Sequence, residues 1–424
     1  MEKYLPRLIE KQIKLALSSV GTVVVVGPKF IGKTTTCSRF AKSKYKLGTN
    51  DPSEILNTTS ATKFPKQFLL QGERPMLVDE WQFAPEIWSQ AKDLSDELGE
   101  NLFIFTGSNS LSNEARNKID HSGSGRIVTI NMRPFSLYEN GDSNGSVSIK
   151  DLFNNKVNYK DGFWGNLKPI DYAREVVNGG WPTNKNKSDE QIKIIVKGYC
   201  ENIYLKDIAK IDGVKRSSDR TLMILKSLAR NDSTILNKNT IYKDTLLEGD
   251  EASKVTFDDY YNALEKMYLF DNVKAWSNKL RSKKETMVRD KFEFVDPSIP
   301  AYFLGANKNN LFKDLNTFGF LFENLAIRDL KVYLEVNLGE VNYYRVYNGQ
   351  DEVDAVLNLN GAFAFVEIKL APDLKEIDLA AKKLIKISND FIEKPAFLAI
   401  ITGLENGYRR DDGVYVIPLS TLKD

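Results

Sequence analysis

Gly27-Pro28-Lys29-Phe30-Ile31-Gly32-Lys33-Thr34 has the spacing GxxxxGK[ST], and that spacing serves one kind of chemistry, the cradling of a polyphosphate. Gly27 and Gly32 let the backbone curl until successive amide N–H groups point inward at phosphate oxygens. A helix starting near Lys33 adds the positive end of its dipole. Lys33 is the candidate contact to the β and γ phosphates, and the Thr34 hydroxyl is the candidate ligand of Mg²⁺. The nucleotide-binding set is therefore Gly27, Pro28, Lys29, Phe30, Ile31, Gly32, Lys33, Thr34 and Thr35, with ATP and Mg²⁺ as the cofactors.

Pro75-Met76-Leu77-Val78-Asp79-Glu80 is a short apolar stretch ending in two carboxylates. Asp79 is placed to hold Mg²⁺ through water, and Glu80 to orient or deprotonate the water that attacks the γ-phosphate. Leu102–Phe105 then runs into Thr106-Gly107-Ser108-Asn109, where a polar side chain can meet phosphate at the carboxyl edge of a sheet. Thr106, Ser108 and Asn109 all qualify; Ser108 enters the nucleotide-binding set. Arg126, in Gly123-Ser124-Gly125-Arg126-Ile127, is a catalytic candidate for transition-state charge, from its own chain or across an oligomer interface. A surface salt-bridging arginine fits the same residues.

A second constellation lies near the C-terminus. Asp354, Glu367 and Lys369 fall on two adjacent predicted strands, and Glu367 and Lys369, two apart, share a face. Asp354 and Glu367 would ligate Mg²⁺ as hard oxygen donors, and Lys369 would activate water for phosphodiester cleavage. Glu323 in the preceding helix is a plausible fourth member. The competing reading is an inert scaffold in which Lys369 simply pairs with the two carboxylates.

The elements that must position these groups follow from patterning. Leu5, Leu8, Ile9, Ile13, Ala16 and Leu17 repeat near a 3.6 period and predict an amphipathic helix over 4–19. Thr22–Val26 is a β-branched run without polar alternation, the mark of a strand buried on both faces of a parallel sheet. Farther on, a helix over 318–331, strands over 342–347, 352–359 and 362–369, a helix over 374–391 and strands over 396–402 and 414–418 give the order α-β-β-β-α-β-β. Asn348-Gly349 and Asn360-Gly361 supply the hairpin turns. That order is the one of restriction-endonuclease-like folds, and the residues on it are similar to those of Holliday-junction resolvases and other PD-(D/E)xK nucleases.

Composition removes several alternatives. The chain has 424 residues, 42% hydrophobic and 27% charged, which suits a soluble multidomain protein. One histidine, His121, excludes multi-histidine metal sites, and the two cysteines, Cys37 and Cys200, form no redox or zinc pattern. No apolar run approaches the roughly 20 residues that span a bilayer, and MEKYLPRLIEKQ lacks a signal peptide's apolar stretch, so no membrane partner and a cytoplasmic location are expected. A net charge of +2 makes no general case for nucleic acid. Basic charge does collect locally over 274–291, where Lys274, Lys279, Arg281, Lys283, Lys284, Arg289 and Lys291 face only Glu285 and Asp290.

The order of the phosphate loop, Val-Asp-Glu, Thr-Gly-Ser, Gly-Arg-Ile and Arg133-Pro134-Phe135-Ser136-Leu137-Tyr138-Glu139 resembles the AAA-superfamily ATPases of bacteria and archaea that carry a fused C-terminal domain of unknown function. The resemblance continues through Gly179-Gly180-Trp181-Pro182 and covers nearly the whole chain. It implies ATP binding, slow hydrolysis and a nuclease-like C-terminal fold, with a helical lid over the nucleotide.

The expected fold class is α/β multidomain: an AAA-like parallel-sheet P-loop domain over 1–145, a helical lid over 146–215, a winged helix-turn-helix over 216–304 and a restriction-endonuclease-like domain over 305–424. Helices around 222–228, 239–247 and 256–269, then β segments at 270–276 and 291–295, predict the winged helix, with its basic wing on DNA phosphate. The expected function is an ATPase coupled to a DNA-contacting module. The alternatives are a Mg²⁺-dependent nuclease regulated by ATP and a nucleotide-gated protein-interaction scaffold; a homo-oligomer is compatible with each.

Overall fold

Five consecutive β-branched positions can be buried on both faces only inside a sheet covered on both sides. Thr22–Val26 (β1) is buried throughout and lies between two parallel neighbours. The structure, a computed structural model, describes residues 4–109, 119, 121–157, 162–246, 253–277, 288–345 and 351–424. The chain gathers into two compact units.

The first unit comprises Met1–Arg133, Leu205–Arg216 and Asp258–Leu269. Helix α1 (Ile9–Leu17) buries Ile13 and Leu17, and α2 (Lys33–Cys37) follows the phosphate loop. With β2 (Ser43–Lys46), β3 (Met76–Asp79), β4 (Phe103–Gly107) and β5 (Ile127–Asn131), β1 forms an all-parallel sheet in the order β2-β3-β4-β1-β5. All carboxyl ends therefore share one edge. Register aligns Val26 with Gly107 and Asn131, and Asp79 with Thr106. Phe68, Trp81, Ile87, Leu94, Phe103 and Phe105 are buried together beside this sheet, with the Trp81 ring 4.9 Å from Trp88.

The two later segments belong to this unit through specific contacts. Asp207 ion-pairs with Lys29 at 2.8 Å, and Tyr268 packs against the Trp81 cluster. Arg216, its side chain 1% exposed, joins the segments to each other by binding Asp212 at 2.7 Å and Asp259 at 2.9 Å.

The second unit comprises Pro134–Tyr204, Ser217–Phe257 and Phe270–Asp424. Its short strands β6 (Val147–Ser148), β7 (Phe163–Trp164), β8 (Thr234–Ile235), β9 (Lys274–Ala275) and β10 (Lys291–Phe292) precede β11 (Glu340–Arg345), β12 (Glu352–Leu359), β13 (Ala362–Lys369), β14 (Leu398–Thr402), β15 (Asn406–Arg409), β16 (Tyr415–Pro418) and β17 (Leu422–Lys423). An eight-stranded mixed sheet runs β7-β15-β16-β14-β13-β12-β11-β9. β11, β12 and β13 form the expected antiparallel meander, whereas β13, β14 and β16 are parallel. Helix Leu374–Asn389 buries Ile377, Ala381 and Leu384 in the core beneath Phe363 and Phe365.

Three features depart from the patterning. β15 is an additional strand, paired antiparallel to β16. β7 and β9, drawn from the regions expected to be lid and wing, form the two edges of the C-terminal sheet. Helices Pro169–Asn178 and Asp189–Asn202, expected as a lid, are built into the second unit, where each meets helix Ser298–Phe303.

The middle of the chain folds into helices Ser218–Arg230, Lys238–Asp244 and Lys254–Glu265. β8 pairs antiparallel with β10, and Phe270 bridges Phe294. The expected wing tip, with Lys279, Arg281, Lys283, Lys284 and Glu285, lies outside the described residues, as does the turn Asn348-Gly349.

The motifs Pro134-Phe135-Ser136-Leu137 and Gly179-Gly180-Trp181-Pro182 meet at a buried polar knot in this unit. Arg328 binds Asp296 at 2.9 Å and Asp329 at 2.7 Å, with both carboxylates 0% exposed. Asp329 also accepts the Leu137 N–H, and Asp296 the Gly180 N–H, each at 2.9 Å. A Cβ on Gly180 would stand 2.2 Å from the Phe135 carbonyl oxygen, so this crossing admits only glycine. No helix among the described residues is long and apolar enough to cross a membrane.

Candidate functional site

The phosphate loop is built on two left-handed turns and a close approach. Gly32 caps α2 with φ +89°, and Phe30, with φ +65°, is mostly exposed. Gly27 has φ +148°, and a Cβ there would lie 2.2 Å from the Met132 carbonyl oxygen. Its backbone tolerates only glycine. Buried Arg7 donates to the carbonyls of Ile31 at 2.9 Å and Arg133 at 2.7 Å, fixing the loop against the strand beside it. Nothing in residue spacing pointed to Arg7. α2 is only five residues long, so curled main-chain amides rather than a long helix must supply the anion-binding field.

Lys33 is buried at 7% exposure and donates to the carbonyl oxygens of Gly27 at 2.9 Å and Pro28 at 2.7 Å. Burial lowers its pKa to about 8, against the opposing pull of Glu80 and Asp79. A desolvated ammonium held by neutral carbonyls is poised to take an anion. Pro28 and Ile31 are buried, Thr34 and Thr35 are exposed, and Lys29 is turned to Asp207.

Register brings the acidic pair to the loop. Thr34 Oγ1 donates to Asp79, with both carboxylate oxygens at 3.0 Å, and Thr106 Oγ1 donates to Asp79 Oδ1 at 2.5 Å. Thr106 is thus the partner of Asp79. Ser108 instead lies 3.3 Å from Glu80 Oε2. Glu80 sits in the left-handed region, φ +56°, and Gln82 Nε2 donates to its Oε2 at 2.5 Å. Gln82 was missed because only the fold-back after Glu80 brings it there. The hydroxyl of Thr34 and the carboxylate of Asp79 are hard oxygen donors already side by side, a set that fits Mg²⁺.

Arg126 is not brought to this edge. Its carbonyl accepts the Thr22 N–H, which places it at the amino end of β1, roughly 17 Å of strand from the phosphate loop. Its guanidinium binds Asp96 at 2.5 Å and is half exposed.

The second constellation does come together. Lys369 Nζ stands 3.3 Å from Glu367 Oε2 and 3.7 Å from Asp354 Oδ2, and Lys383 Nζ donates to Glu367 Oε1 at 2.7 Å. Asp354 Oδ2 also accepts the Ile368 N–H at 2.8 Å. Burial raises the pKa of Glu367, with Asp354 adding to it and the two lysines opposing. Lys291, expected on an exposed wing, is instead 3% exposed and ion-pairs with Glu323. Burial works against its ammonium, but Glu323, Asp354 and Glu293 outweigh that and hold its pKa above the ordinary lysine value. The carboxylates Glu323 and Glu367 are thus each engaged by an ammonium. Among the described residues, no three acidic, histidine or cysteine side chains gather as a metal site.

Residues 20–140 match the family described as AAA domain. Residues 170–310 and 318–422 match two domains of unknown function (DUF8612 and DUF4143). No curated protein matches the chain. Among solved structures, the chain is similar to a Walker-type ATPase of Pyrococcus abyssi at 13% identity, covering 71% of this chain and 96% of that one, with a TM-score of 0.40. It is also similar to the ORC2 protein of Aeropyrum pernix in its ADPNP–ADP complexes (13% identity, 72% and 96% covered, TM-score 0.30). RuvB of Thermotoga maritima is a third (15% identity, 62% and 88% covered, TM-score 0.24). Likenesses at these scores carry no argument about activity. Residues 20–140 form an AAA domain of the P-loop ATPase type, on the family match and the loop geometry together.

Proposed function

We propose that the chain hydrolyses ATP in its first unit and uses its second unit to contact DNA. The ATPase reading rests on one observation above all, the Thr34–Asp79–Thr106 chain of hydrogen bonds beside a buried Lys33. In this reading Lys33 leaves the Gly27 and Pro28 carbonyls for the β and γ phosphate oxygens, and the loop amides bind the rest of the polyphosphate. Thr34 and Asp79 hold Mg²⁺, which when bound offsets phosphate charge. Glu80 accepts the proton of the attacking water. Arg126, at the amino edge, could serve a phosphate only on another copy of the chain.

The DNA reading is supported by element order. Within the second unit, helices Ser218–Arg230 and Lys238–Asp244, the β8–β10 pair and the Phe270–Phe294 bridge follow part of the winged-helix sequence of elements, while Asp258–Glu265 of the third helix belongs to the first unit. Lys291 is withdrawn from phosphate contact, which leaves Lys274 and Arg289 of the basic group exposed among the described residues. Phosphodiester cleavage at Asp354, Glu367 and Lys369 is the second reading, and the pairing of Lys369 and Lys383 with Glu367 is what an inert scaffold would also have.

The test is an ATPase assay on the full chain with and without duplex DNA. Glu80→Gln should keep ATP binding and lower turnover about a hundred- to ten-thousandfold. Undiminished turnover removes Glu80 from this role, and DNA binding that does not weaken with salt removes the phosphate-contact reading.

A further inference from the structure

We propose that Gln82 is a positioning residue for Glu80, a reading that rests on the ATPase assignment above. The two lie either side of Trp81 at the end of β3, and only the left-handed turn at Glu80 brings their side chains together. Trp81 is buried against Phe105, with ring centroids 6.0 Å apart, and anchors that turn. The Gln82 amide nitrogen then donates to Glu80 Oε2 at 2.5 Å, while Ser108 makes longer contacts of 3.4 Å to Oε1 and 3.3 Å to Oε2.

Two features at this turn work against stability. A non-glycine residue in the left-handed region is strained. In addition, Gln82 Oε1 is buried with no hydrogen-bond partner among the described residues, which is unfavourable for such a group. A glutamine kept only for packing would satisfy both ends of its amide. This one holds the carboxylate with its nitrogen and leaves its oxygen unmet. Gly107 supplies the room, since a Cβ there would stand 2.8 Å from that oxygen. The arrangement confines Glu80 Oε2 and leaves Oε1, held only weakly, to face the attacking water. That water's oxygen bonds to the γ-phosphorus as the bond to the β–γ bridging oxygen breaks. Its proton passes to Glu80, and the electron pair of the broken bond leaves with ADP.

The experiment is steady-state ATP hydrolysis by the full chain, together with ATP binding, for wild type, Gln82→Ala, Glu80→Gln and the double variant. Gln82→Ala should lower kcat about ten- to hundredfold and leave KM and ATP affinity within twofold. In the Glu80→Gln background the same change should have no further effect, because Gln82 acts through Glu80. Gly107→Ala, which crowds the amide without touching Glu80, should mimic Gln82→Ala in part. An unchanged or raised kcat in Gln82→Ala overturns the proposal, as does an undiminished loss in the double variant. A wild-type chain with no turnover at all brings down the ATPase reading and this one with it. Wild-type turnover with an indifferent Gln82→Ala removes this one alone.

Discussion

Both candidate sites set a buried lysine among carboxylates, yet they are opposite in electrostatic design. In the first unit Lys33 is held by backbone carbonyls, and Asp79 and Glu80 by hydroxyls and an amide. Neutral partners stabilise a charge without cancelling it, so this site keeps an unspent cation and unspent anions for a ligand. In the second unit Lys291 meets Glu323, and Lys369 and Lys383 meet Glu367. Those charges are consumed internally. The same residue types therefore have neutral partners in one place and charged partners in the other.

The comparison can be broken most sharply at Lys291. Lys291→Ala leaves Glu323 buried without its counter-ion and should destabilise the second unit by about 3–5 kcal/mol, read by urea unfolding. The double change Lys291→Met with Glu323→Leu should recover most of that loss. A Lys291→Ala variant as stable as wild type would show that the tie contributes nothing.

Next in size is the contrast between two lysines. Lys33→Ala should weaken ATP binding roughly a hundredfold, since a charged hydrogen bond contributes about 1.5–3 kcal/mol. Its effect on the free protein's stability should be small, because burial already disfavours that ammonium. Lys369→Ala should leave ATP affinity unchanged. Calorimetric titration distinguishes them, and equal losses for both would merge the two sites into one.

The smallest effect is a pH dependence. With a pKa of about 8 in the free protein, Lys33 is charged below that pH and loses its proton above it. Bound phosphate favours the charged form, so ATP affinity should fall about tenfold per pH unit above 8. The sign for folding is reversed. Between about 8 and the ordinary lysine value the unfolded chain holds more protons, so this group makes the free protein more stable as pH rises through that window. An affinity flat from pH 7 to beyond 9 would contradict a desolvated Lys33.

Where side-chain type dictates burial, the fold was legible. Thr22–Val26, Met76–Asp79 and the strands over 352–369 could hardly be anything other than covered strands. Ser43–Lys46 was not legible, because a short polar edge strand buries too little to leave a pattern. Lys291 was misjudged for a related reason: a charge run shows ion type but not solvent access, and two residues of β10 carry it inside. Arg126 was decipherable in principle. It precedes its strand, and in an all-parallel sheet that alone assigns it to the edge away from the loop. Gln82 was beyond reach, since its contact depends on a left-handed residue that is not glycine.

The first unit is assembled from three stretches of chain, and this limits how the protein can be cut. Residues 205–216 and 258–269 bring Asp207 to Lys29 and Tyr268 to the tryptophan-rich core. A fragment truncated at residue 140 would strip a loop lysine of its counter-ion and bare apolar surface to water. The nucleotide-binding part is therefore not a detachable cassette, and swapping it between proteins at linear boundaries would transplant only part of it.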